Sequence, residues 1–260
     1  MSAASNPILE VKGLTKVFGG LVAVSDLDFS VERNEIFGVI GPNGAGKSTM
    51  FNLVAAAYAP TAGEIAFDGR STTGWPSHRL AQAGIARTFQ TLHLFGDQNV
   101  LDNVMVGSYR HARAGLLSGL AGLRGARANE HRRREKAMQW LEFVGLADLA
   151  DQTAEDLSFG QQRLLELARA LALEPSLLLL DEPASGLNDR ETERFAEMLR
   201  RLPDQGITVL LVEHNMHLMM SVAERMMVLD CGRKIAQGTP RDIQSDPMVV
   251  EVYLGSGDAE

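Results

Sequence analysis

The chain has 260 residues, of which 45% are hydrophobic, and its formal net charge at pH 7 is -8. This length fits one large domain, or one domain with a subdomain, and the hydrophobic fraction suffices for an ordinary core. The negative charge argues against non-specific nucleic-acid binding, which needs a basic surface to neutralise phosphates.

The hydropathy of the chain bears on its location. No uncharged apolar run approaches the roughly 20 residues that a bilayer span requires, and the N-terminus lacks the basic start and apolar stretch of a signal peptide. We therefore expect the protein to stay in the cytoplasm, with any membrane attachment made through other proteins. The one cysteine, Cys231, cannot form an internal disulfide and reads as an ordinary core or loop thiol.

The first forty residues predict several short strands, because apolar and polar residues alternate between turn residues at 19–20 and 34–35. The last of these strands, Ile36–Ile40, leads directly into a glycine-rich loop. Apolar residues from Met50 to Ala57 then follow at helical spacing. A further short strand is predicted at residues 63–69, between glycine turns.

Residues 99–156 predict an α-helical subdomain that is inserted into an α/β core. Apolar residues from Ala137 to Val144 repeat at helical spacing, and Gly145 ends the pattern. The segment 107–130 has weak periodicity and predicts a loop or a loosely packed helix. A basic run at 132–136 fits a solvated helix face better than a contact with lipid headgroups or a partner.

Helices and strands alternate in the rest of the chain. A helix at residues 164–172 precedes four leucines that predict a buried strand, and a second helix precedes a strand at 207–212. Such alternation predicts a mainly parallel sheet covered by helices on both faces. Residues 226–230 and 233–237 predict a terminal hairpin, and residues 256–260 predict a flexible tail.

The strongest motif is a phosphate-binding loop that matches the pattern G-x-x-x-x-G-K-[ST]. Its glycines let backbone N–H groups surround an anion at the positive end of the next helix. Lys47 adds a charge near the outer phosphates, and the Ser48 hydroxyl can complete a magnesium shell. The predicted nucleotide-binding residues of the loop are Gly41, Pro42, Asn43, Gly44, Ala45, Gly46, Lys47, Ser48 and Thr49.

The leucine strand ends in an acidic pair, Asp181 and Glu182. Asp181 can hold a metal, and Glu182 can accept a proton from a water aimed at the terminal phosphate, or orient that water. Two solvated acids after a buried strand would be the alternative, and the phosphate loop favours the first interpretation. Gln90 and His214 are weaker candidates, because each taken alone fits a surface or structural role.

Residues 157–161 read Leu-Ser-Phe-Gly-Gln. Ser158 is a good N-cap, and a helix that begins near Gly160 would present its amide ends as an anion site. An ordinary capped helix explains the same residues. A second anion site this far from the first loop makes sense if two chains face each other and each completes the other's nucleotide pocket.

In this order, the motifs resemble the ATP-binding cassettes of ABC transporters over residues 8–255. The resemblance implies an α/β fold, with a P-loop ATPase core, a mainly parallel sheet, an N-terminal antiparallel β subdomain and the inserted helical subdomain. The core would comprise residues 8–98 and 157–240, and a C-terminal segment would follow at 241–255.

The resemblance also implies a role for each motif. Glu182, His214 and Gln90 would be catalytic, Ser48, Gln90 and Asp181 would hold Mg²⁺, and the Phe18 ring would stack on the adenine of ATP. The residues implied to contact the ATP of a partner cassette are Ser158, Phe159, Gly160 and Gln161. The implied dimer-contact loop consists of Ser185, Gly186, Leu187, Asn188 and Asp189.

The chain departs from the commoner family pattern at Phe159, where glycine is usual, and at Gly186 and Asn188, where alanine and aspartate are usual. None of these changes removes a phosphate donor. Phe159 with the following Gln-Gln-Arg, together with residues 238–240 and 250–255, resembles the subgroup that serves branched-chain amino acid importers. The extra stretch within 107–130 resembles the longer of the two ATPases in such systems.

This subgroup implies a set of partners: two permease subunits, a paralogous cassette or a second copy of the chain, and an external substrate-binding protein, without nucleic acid. The protein would then lie on the cytoplasmic face of the membrane, held there by the permeases. A soluble cassette for assembly, for instance of iron-sulfur clusters, and the ATPase of a lipid exporter are the alternatives. The transported molecule stays open, because no residue of this chain would touch it.

Overall fold

We describe the fold from a computed structural model that covers residues 6–88, 94–108 and 123–255, the side chains of 123–127 and 254–255 excepted. Its strands are β1 (Leu9–Phe18), β2 (Leu21–Val31), β3 (Ile36–Ile40), β4 (Ala62–Phe67), β5 (Arg70–Ser71), β6 (Ile85–Arg87), β7 (Leu177–Asp181), β8 (Thr208–Val212), β9 (Arg225–Asp230) and β10 (Arg233–Gly238). Its helices are α1 (Lys47–Val54), α2 (Ser77–Ala83), α3 (Val100–Gly107), α4 (Leu123–Phe143), α5 (Phe159–Leu171), α6 (Asp189–Arg200), α7 (Met216–Val222), α8 (Pro240–Ser245) and α9 (Pro247–Gly255).

Two sheets organise these elements. The larger sheet has the order β10-β9-β3-β8-β7-β6 and is parallel except for the edge strand β10. The smaller sheet, β2-β1-β4-β5, is antiparallel. The predicted α/β fold with an antiparallel β subdomain is therefore confirmed. In the part of the chain that the structure describes, no helix has the length and apolar character needed to cross a bilayer.

The core has two halves, one on each face of the larger sheet. Leu178 and Leu180 of β7 pack into a cluster with α3, α4, α5 and α6, whereas Leu177 and Leu179 pack into a cluster with α1 and the smaller sheet. All residues of β7 are buried because both faces of this central strand are covered. The leucine run was correctly predicted as a buried strand.

The antiparallel strands differ from the prediction in length. β1 and β2 have 10 and 11 residues, so the prediction of several short strands was wrong here. Their pairing contains register shifts at three points, the first between Val11 and Leu14. Each shift interrupts the alternation of inward and outward residues, and long strands then look like several short ones. Ala57, which the pattern added to α1, lies beyond the end of that helix at Val54.

The predicted helical region contains α3 and α4, which both pack against α5. Ala137 and Leu141 of α4 are fully buried, and the chain turns at Gly145 with a φ of 72°. The basic run is largely exposed, and Arg133 pairs with Glu130 of the same helix at 2.6 Å. Most of the segment 107–130 and the predicted tail 256–260 lie outside the described residues.

Candidate functional site

The phosphate loop joins β3 to α1 at the carboxyl edge of the larger sheet. Gly46 precedes α1 with a φ of 96°, and a β-carbon at this position would lie 2.5 Å from the carbonyl oxygen of Ala23. Only glycine allows this left-handed, close-packed turn. The first turn of α1 has neither a side-chain cap nor an acidic residue, so its N–H groups remain available to an anion.

Lys47 points back into the loop. Its Nζ donates to the carbonyl oxygens of Gly41 at 2.6 Å and Pro42 at 3.0 Å, and the residue is 7% exposed. Burial lowers the pKa of Lys47, while the charges of Glu182 and Asp181 act in the opposite direction. The ammonium group therefore lies in a partly desolvated pocket in which an anionic ligand gains strong electrostatic attraction.

A pocket of about 450 Å³ lies over this loop. Its wall includes Glu182 and the exposed Cys231, in the turn between β9 and β10. The pocket is lined by Leu21, Val22, Ala23, Asn43, Gly44, Ala45, Gly46, Lys47, Ser48, Thr49, Glu182 and Cys231. The predicted nucleotide-binding residues from Asn43 to Thr49 thus share one cavity with the predicted base.

The acidic pair lies at the carboxyl end of β7, the strand two positions from β3: Asp181 is the last residue of the strand, and Glu182 follows it. Asp181 is 6% exposed, and burial raises its pKa, whereas the charge of Arg87 lowers it. The Nη2 atom of Arg87 lies 4.0 Å from Oδ2 of Asp181, and its Nη1 atom donates to Asn52 in α1 at 2.8 Å. Arg87 has no role in the sequence prediction, because both of these contacts involve residues that are distant along the chain.

Glu182 adopts a left-handed backbone conformation with a φ of 48°. Such a conformation is unfavourable for a residue with a β-carbon, and strain of this kind concentrates at functional sites. The Glu182 amide is held by the carbonyl of Val212 in β8 at 2.9 Å. This turn directs the carboxylate into the pocket and towards the loop that follows β8.

His214 lies in that loop. Its Nδ1 atom is 3.8 Å from Oε2 of Glu182, and its side chain is 60% exposed. The structure therefore brings Glu182 and His214 together, as the predicted roles require. Gln90 lies outside the described residues. Glu213, which sequence reasoning did not select, lies beside His214 and is fully buried.

The residues of the predicted second anion site lie at the N-terminus of α5. Ser158 caps the helix, since its Oγ atom accepts from the Gln161 N–H at 3.3 Å while the Gln161 side chain accepts from the Ser158 N–H at 2.9 Å. The helix begins at Phe159, one residue earlier than predicted. Ser158 is exposed, so its hydroxyl can donate to a ligand outside its own chain.

Two departures from the family pattern contact each other. Gly186 has a φ of 83°, and a β-carbon there would lie 2.8 Å from the Phe159 ring. The ring is 44% exposed, and the guanidinium carbon of Arg163 lies 5.2 Å from its centroid. A phenylalanine at position 159 therefore fits with a glycine at position 186, which leaves room for the ring.

The predicted dimer-contact loop, residues 185–189, leads into α6, whose N-cap is Asn188. Asn188 accepts from the Glu191 N–H at 3.1 Å, and the Glu191 side chain accepts from the Asn188 N–H at 3.0 Å. Asparagine and aspartate cap helices about equally well, so the third departure preserves the local structure. The Glu191 carboxylate also lies against Gly160, where a β-carbon would be 2.4 Å from its Oε1 atom. The N-termini of α5 and α6 therefore pack together.

Phe18 ends β1 and is 41% exposed. Its ring meets Tyr58 edge-on with centroids 5.5 Å apart, and the Lys16 ammonium lies 4.9 Å from its centroid. Phe18 does not line the pocket described above, although its cross-strand neighbour Leu21 does. Stacking of this ring on adenine stays a prediction.

A phosphate loop after a parallel strand, with an acidic pair on a nearby strand, defines a P-loop nucleotide-binding protein of the ATPase class. The family model "ABC transporter" matches residues 24–185, more than half of the chain. The chain belongs to the ABC transporter family, as one of its ATP-binding subunits. A second model, "Branched-chain amino acid ATP-binding cassette transporter", matches residues 233–259.

Individual relatives agree with this family. The high-affinity branched-chain amino acid transport ATP-binding protein BraF of Pseudomonas aeruginosa is 43% identical over 96% of this chain and 99% of its own length. A solved ATP-binding cassette of an ABC transporter, in its ADP conformation, has a TM-score of 0.83 at 30% identity, with 96% of this chain and 99% of the other covered. A dimeric cassette bound to ADP and Pi has a TM-score of 0.73 at 27% identity, over 90% and 99%.

Proposed function

We propose that this protein binds and hydrolyses ATP to drive the import of branched-chain amino acids. The observation that carries the proposal is the placement of Glu182 beside the phosphate loop, in a chain that matches a branched-chain amino acid transport ATPase over nearly its whole length. Residues 8–255 form one cassette domain in this proposal. The family membership supports the ATPase activity, and the named relatives support the transported class.

The C-terminal segment adds support for the subgroup. The residues matched by the branched-chain model begin with β10 and include α8 and α9. Tyr253 of α9 packs against the core, and burial raises its pKa while a hydrogen bond from the Gly41 backbone acts against that rise. The segment typical of the subgroup therefore reaches the first residue of the phosphate loop.

The chemistry follows from the residues around the pocket. The N–H groups of the loop and the Lys47 ammonium bind the phosphates, and Glu182 accepts a proton from the attacking water. His214 donates a hydrogen bond to a phosphate oxygen. The exposed Ser158 tip contacts the ATP of a second cassette, and hydrolysis then separates the two cassettes.

The proposal includes partners at the membrane. Two permease subunits hold the cassettes at the cytoplasmic face, the second cassette is a paralogue or another copy of this chain, and an external binding protein delivers the substrate. Two comparisons support these partners. BraF is named as a branched-chain amino acid transport ATP-binding protein, and one solved relative is a dimer.

Transport of labelled amino acids tests this proposal. In cells that lack the chain, we expect loss of leucine, isoleucine and valine uptake, and restoration by the intact gene. The protein should also co-purify with permeases from detergent extracts. If uptake of these three amino acids is unchanged while uptake of urea or of other amino acids is lost, the transported substrate belongs to that other class. Absence of permeases would favour an assembly role, and co-purification with lipid-export components would favour the exporter.

We propose Mg²⁺ as the cofactor, held by Ser48, Gln90 and Asp181. The donor set fits this ion, because hydroxyl, amide and carboxylate oxygens are the hard ligands that Mg²⁺ prefers. Asp181 is buried with a raised pKa, so a cation would relieve the cost of its ionised form. When bound, Mg²⁺ neutralises charge on the phosphates.

Replacement of Asp181 by asparagine tests the metal proposal. Because burial raises the pKa of Asp181 in the folded state, ionisation destabilises the nucleotide-free protein at neutral pH. At pH 7–8 we expect the melting temperature of Asp181→Asn to equal or exceed that of the parent. The difference should vanish at a pH below the ordinary pKa of an aspartate carboxyl, because Asp181 of the parent is then protonated in both the folded and the unfolded state. The variant should lose the extra stabilisation that ATP with Mg²⁺ gives over ATP with EDTA. That extra stabilisation corresponds to about 2 to 4 °C for each kcal/mol, and its retention in the variant would contradict the assignment.

A further inference from the structure

Glu213 directly follows β8 and is 0% exposed. A fully buried carboxylate needs hydrogen bonds or opposite charge to offset its lost hydration. Burial raises the pKa of Glu213, and hydrogen bonds from the backbones of Ala184, Asn215 and His214 act against that rise, together with the charge of His214. Main-chain donors are therefore prominent among the groups that hold this side chain.

These donors come from two different loops. The Oε1 atom of Glu213 accepts from the Ala184 N–H at 2.9 Å, in the loop after β7. The Oε2 atom accepts from the N–H groups of His214 at 3.1 Å and Asn215 at 3.2 Å, in the loop after β8. One carboxylate thus bridges the ends of two neighbouring parallel strands.

Each of the two loops carries a residue of the proposed reaction. The turn that contains Ala184 starts at Glu182, whose carbonyl accepts from the Ser185 N–H at 3.1 Å. Nδ1 of His214 lies 3.8 Å from Oε2 of Glu182 and 3.8 Å from Oε2 of Glu213. Glu213 therefore lies next to the contact between Glu182, the proposed base, and His214.

The same bridge reaches two further elements. Ala184 immediately precedes the dimer-contact loop at 185–189. Asn215 caps α7 by accepting from the Leu218 N–H at 3.0 Å. A shift of the dimer-contact loop on contact with a second cassette would displace Glu213, and with it the loop after β8 that contains His214.

We infer that Glu213 is a positioning residue that fixes Glu182 and His214 relative to each other and links both to the dimer-contact loop. This inference rests on the roles proposed above for Glu182 and His214. Glu213 does not line the pocket, and its side chain accepts hydrogen bonds from the two loops that it joins. The alternative is a purely structural carboxylate, which would contribute to folding without a specific effect on turnover.

Replacement of Glu213 by glutamine separates the two roles. Glutamine has one acceptor oxygen, and its NH₂ group donates but cannot accept from the remaining N–H donors, so at least one loop loses its anchor. We expect kcat for ATP to fall about tenfold to hundredfold, because small displacements of catalytic groups have effects of this size. The dissociation constant for ATP should change less than about threefold, since the phosphate loop does not contact Glu213. A kcat within about twofold of the parent would overturn the inference.

A double variant gives the sharper test. If Glu213 acts through Glu182, the loss caused by Glu213→Gln should nearly disappear when Glu182→Gln is already present, as single-turnover hydrolysis with excess protein would measure. An equal loss in both backgrounds would overturn the positioning role. Retained turnover in Glu182→Gln alone would instead overturn the proposed base, so the two failures are distinguishable.

Glu35 provides a matched control. This carboxylate is also buried, at 4% exposure, and bonds to the Glu32 N–H at 2.6 Å and to Arg225 at 3.0 Å. It precedes β3 at the end opposite the phosphate loop. We expect Glu35→Gln to leave kcat unchanged, because the contacts of Glu35 lie at the end of the sheet opposite the pocket.

If Glu213→Gln does not fold, Glu213→Asp replaces it in both the single-variant and the double-variant experiment. Aspartate keeps the charge but is one methylene shorter, so it cannot reach both loops. The inference then requires a fall in kcat that is absent in the Glu182→Gln background. A kcat equal to the parent value, or a fall of the same size in both backgrounds, would overturn it.

Discussion

Glu182→Gln is expected to bind ATP as the parent does and to lose turnover by about 10²-fold to 10⁴-fold, the range for loss of a positioned proton acceptor. Glutamine keeps the shape of the side chain but cannot accept the proton of the attacking water. Glu182 lines the same pocket as Lys47 and Ser48, so its carboxylate can reach a water that attacks a phosphate bound there. Glutamine has a β-carbon like that of glutamate, so the substitution adds no strain at the left-handed backbone of this residue.

Phosphate release by the purified transport complex measures this loss, and calorimetry measures the affinity for ATP. We expect the dissociation constant to stay within about threefold of the parent, because the phosphate loop supplies the binding groups. Glu197→Gln, on the exposed face of α6, serves as the control and should hydrolyse ATP at the parent rate. Steady hydrolysis by Glu182→Gln would remove this residue from the role of base.

Much of the fold was predictable because its signals are local. The phosphate loop needs specific residues at fixed spacing between a strand and a helix, and the terminal hairpin has its turn at Cys231 and Gly232. The cap at Ser158 also depends on residues only three positions apart. Each of these features leaves a complete pattern within a short stretch of sequence.

The elements that escaped prediction are short and depend on distant partners. β6 has only three residues and pairs with β7, whose first residue in the pairing is Leu177. α2 has seven residues, and Leu80 is its one buried residue. Neither element is long enough to show a period of its own. Their positions follow from tertiary packing against the sheet.

The candidate site divides in the same way. Glu182 and His214 were selected from motifs, but their 3.8 Å separation follows from the adjacency of β7 and β8. Glu213 has no motif, because its partners are backbone N–H groups and any residue can supply those. The pairing of Phe159 with Gly186 was likewise visible in sequence only as two separate departures. Contacts between distant loops therefore account for most of what the sequence could not predict.

Lys47→Ala is expected to weaken ATP binding itself, by about tenfold to 150-fold. This range corresponds to the 1.5 to 3 kcal/mol typical of a hydrogen bond to a charged group, with about 1.4 kcal/mol for each tenfold change. The substitution removes the one lysine of the phosphate loop and leaves the negative charges of Asp181 and Glu182 beside the incoming phosphates. Both effects weaken the complex with ATP before hydrolysis begins.

Calorimetric titration with ATP measures the affinity, and Lys12→Ala is a suitable control because Lys12 is exposed, does not line the pocket, and pairs with Glu10 at 2.8 Å. The two substitutions at the site should therefore change different quantities. Lys47→Ala raises the dissociation constant for ATP, whereas Glu182→Gln lowers turnover at saturating ATP. An unchanged affinity in Lys47→Ala would mean that the backbone N–H groups alone hold the phosphates. The electrostatic part of the proposed site would then be wrong, while the position of Glu182 as the base would still stand.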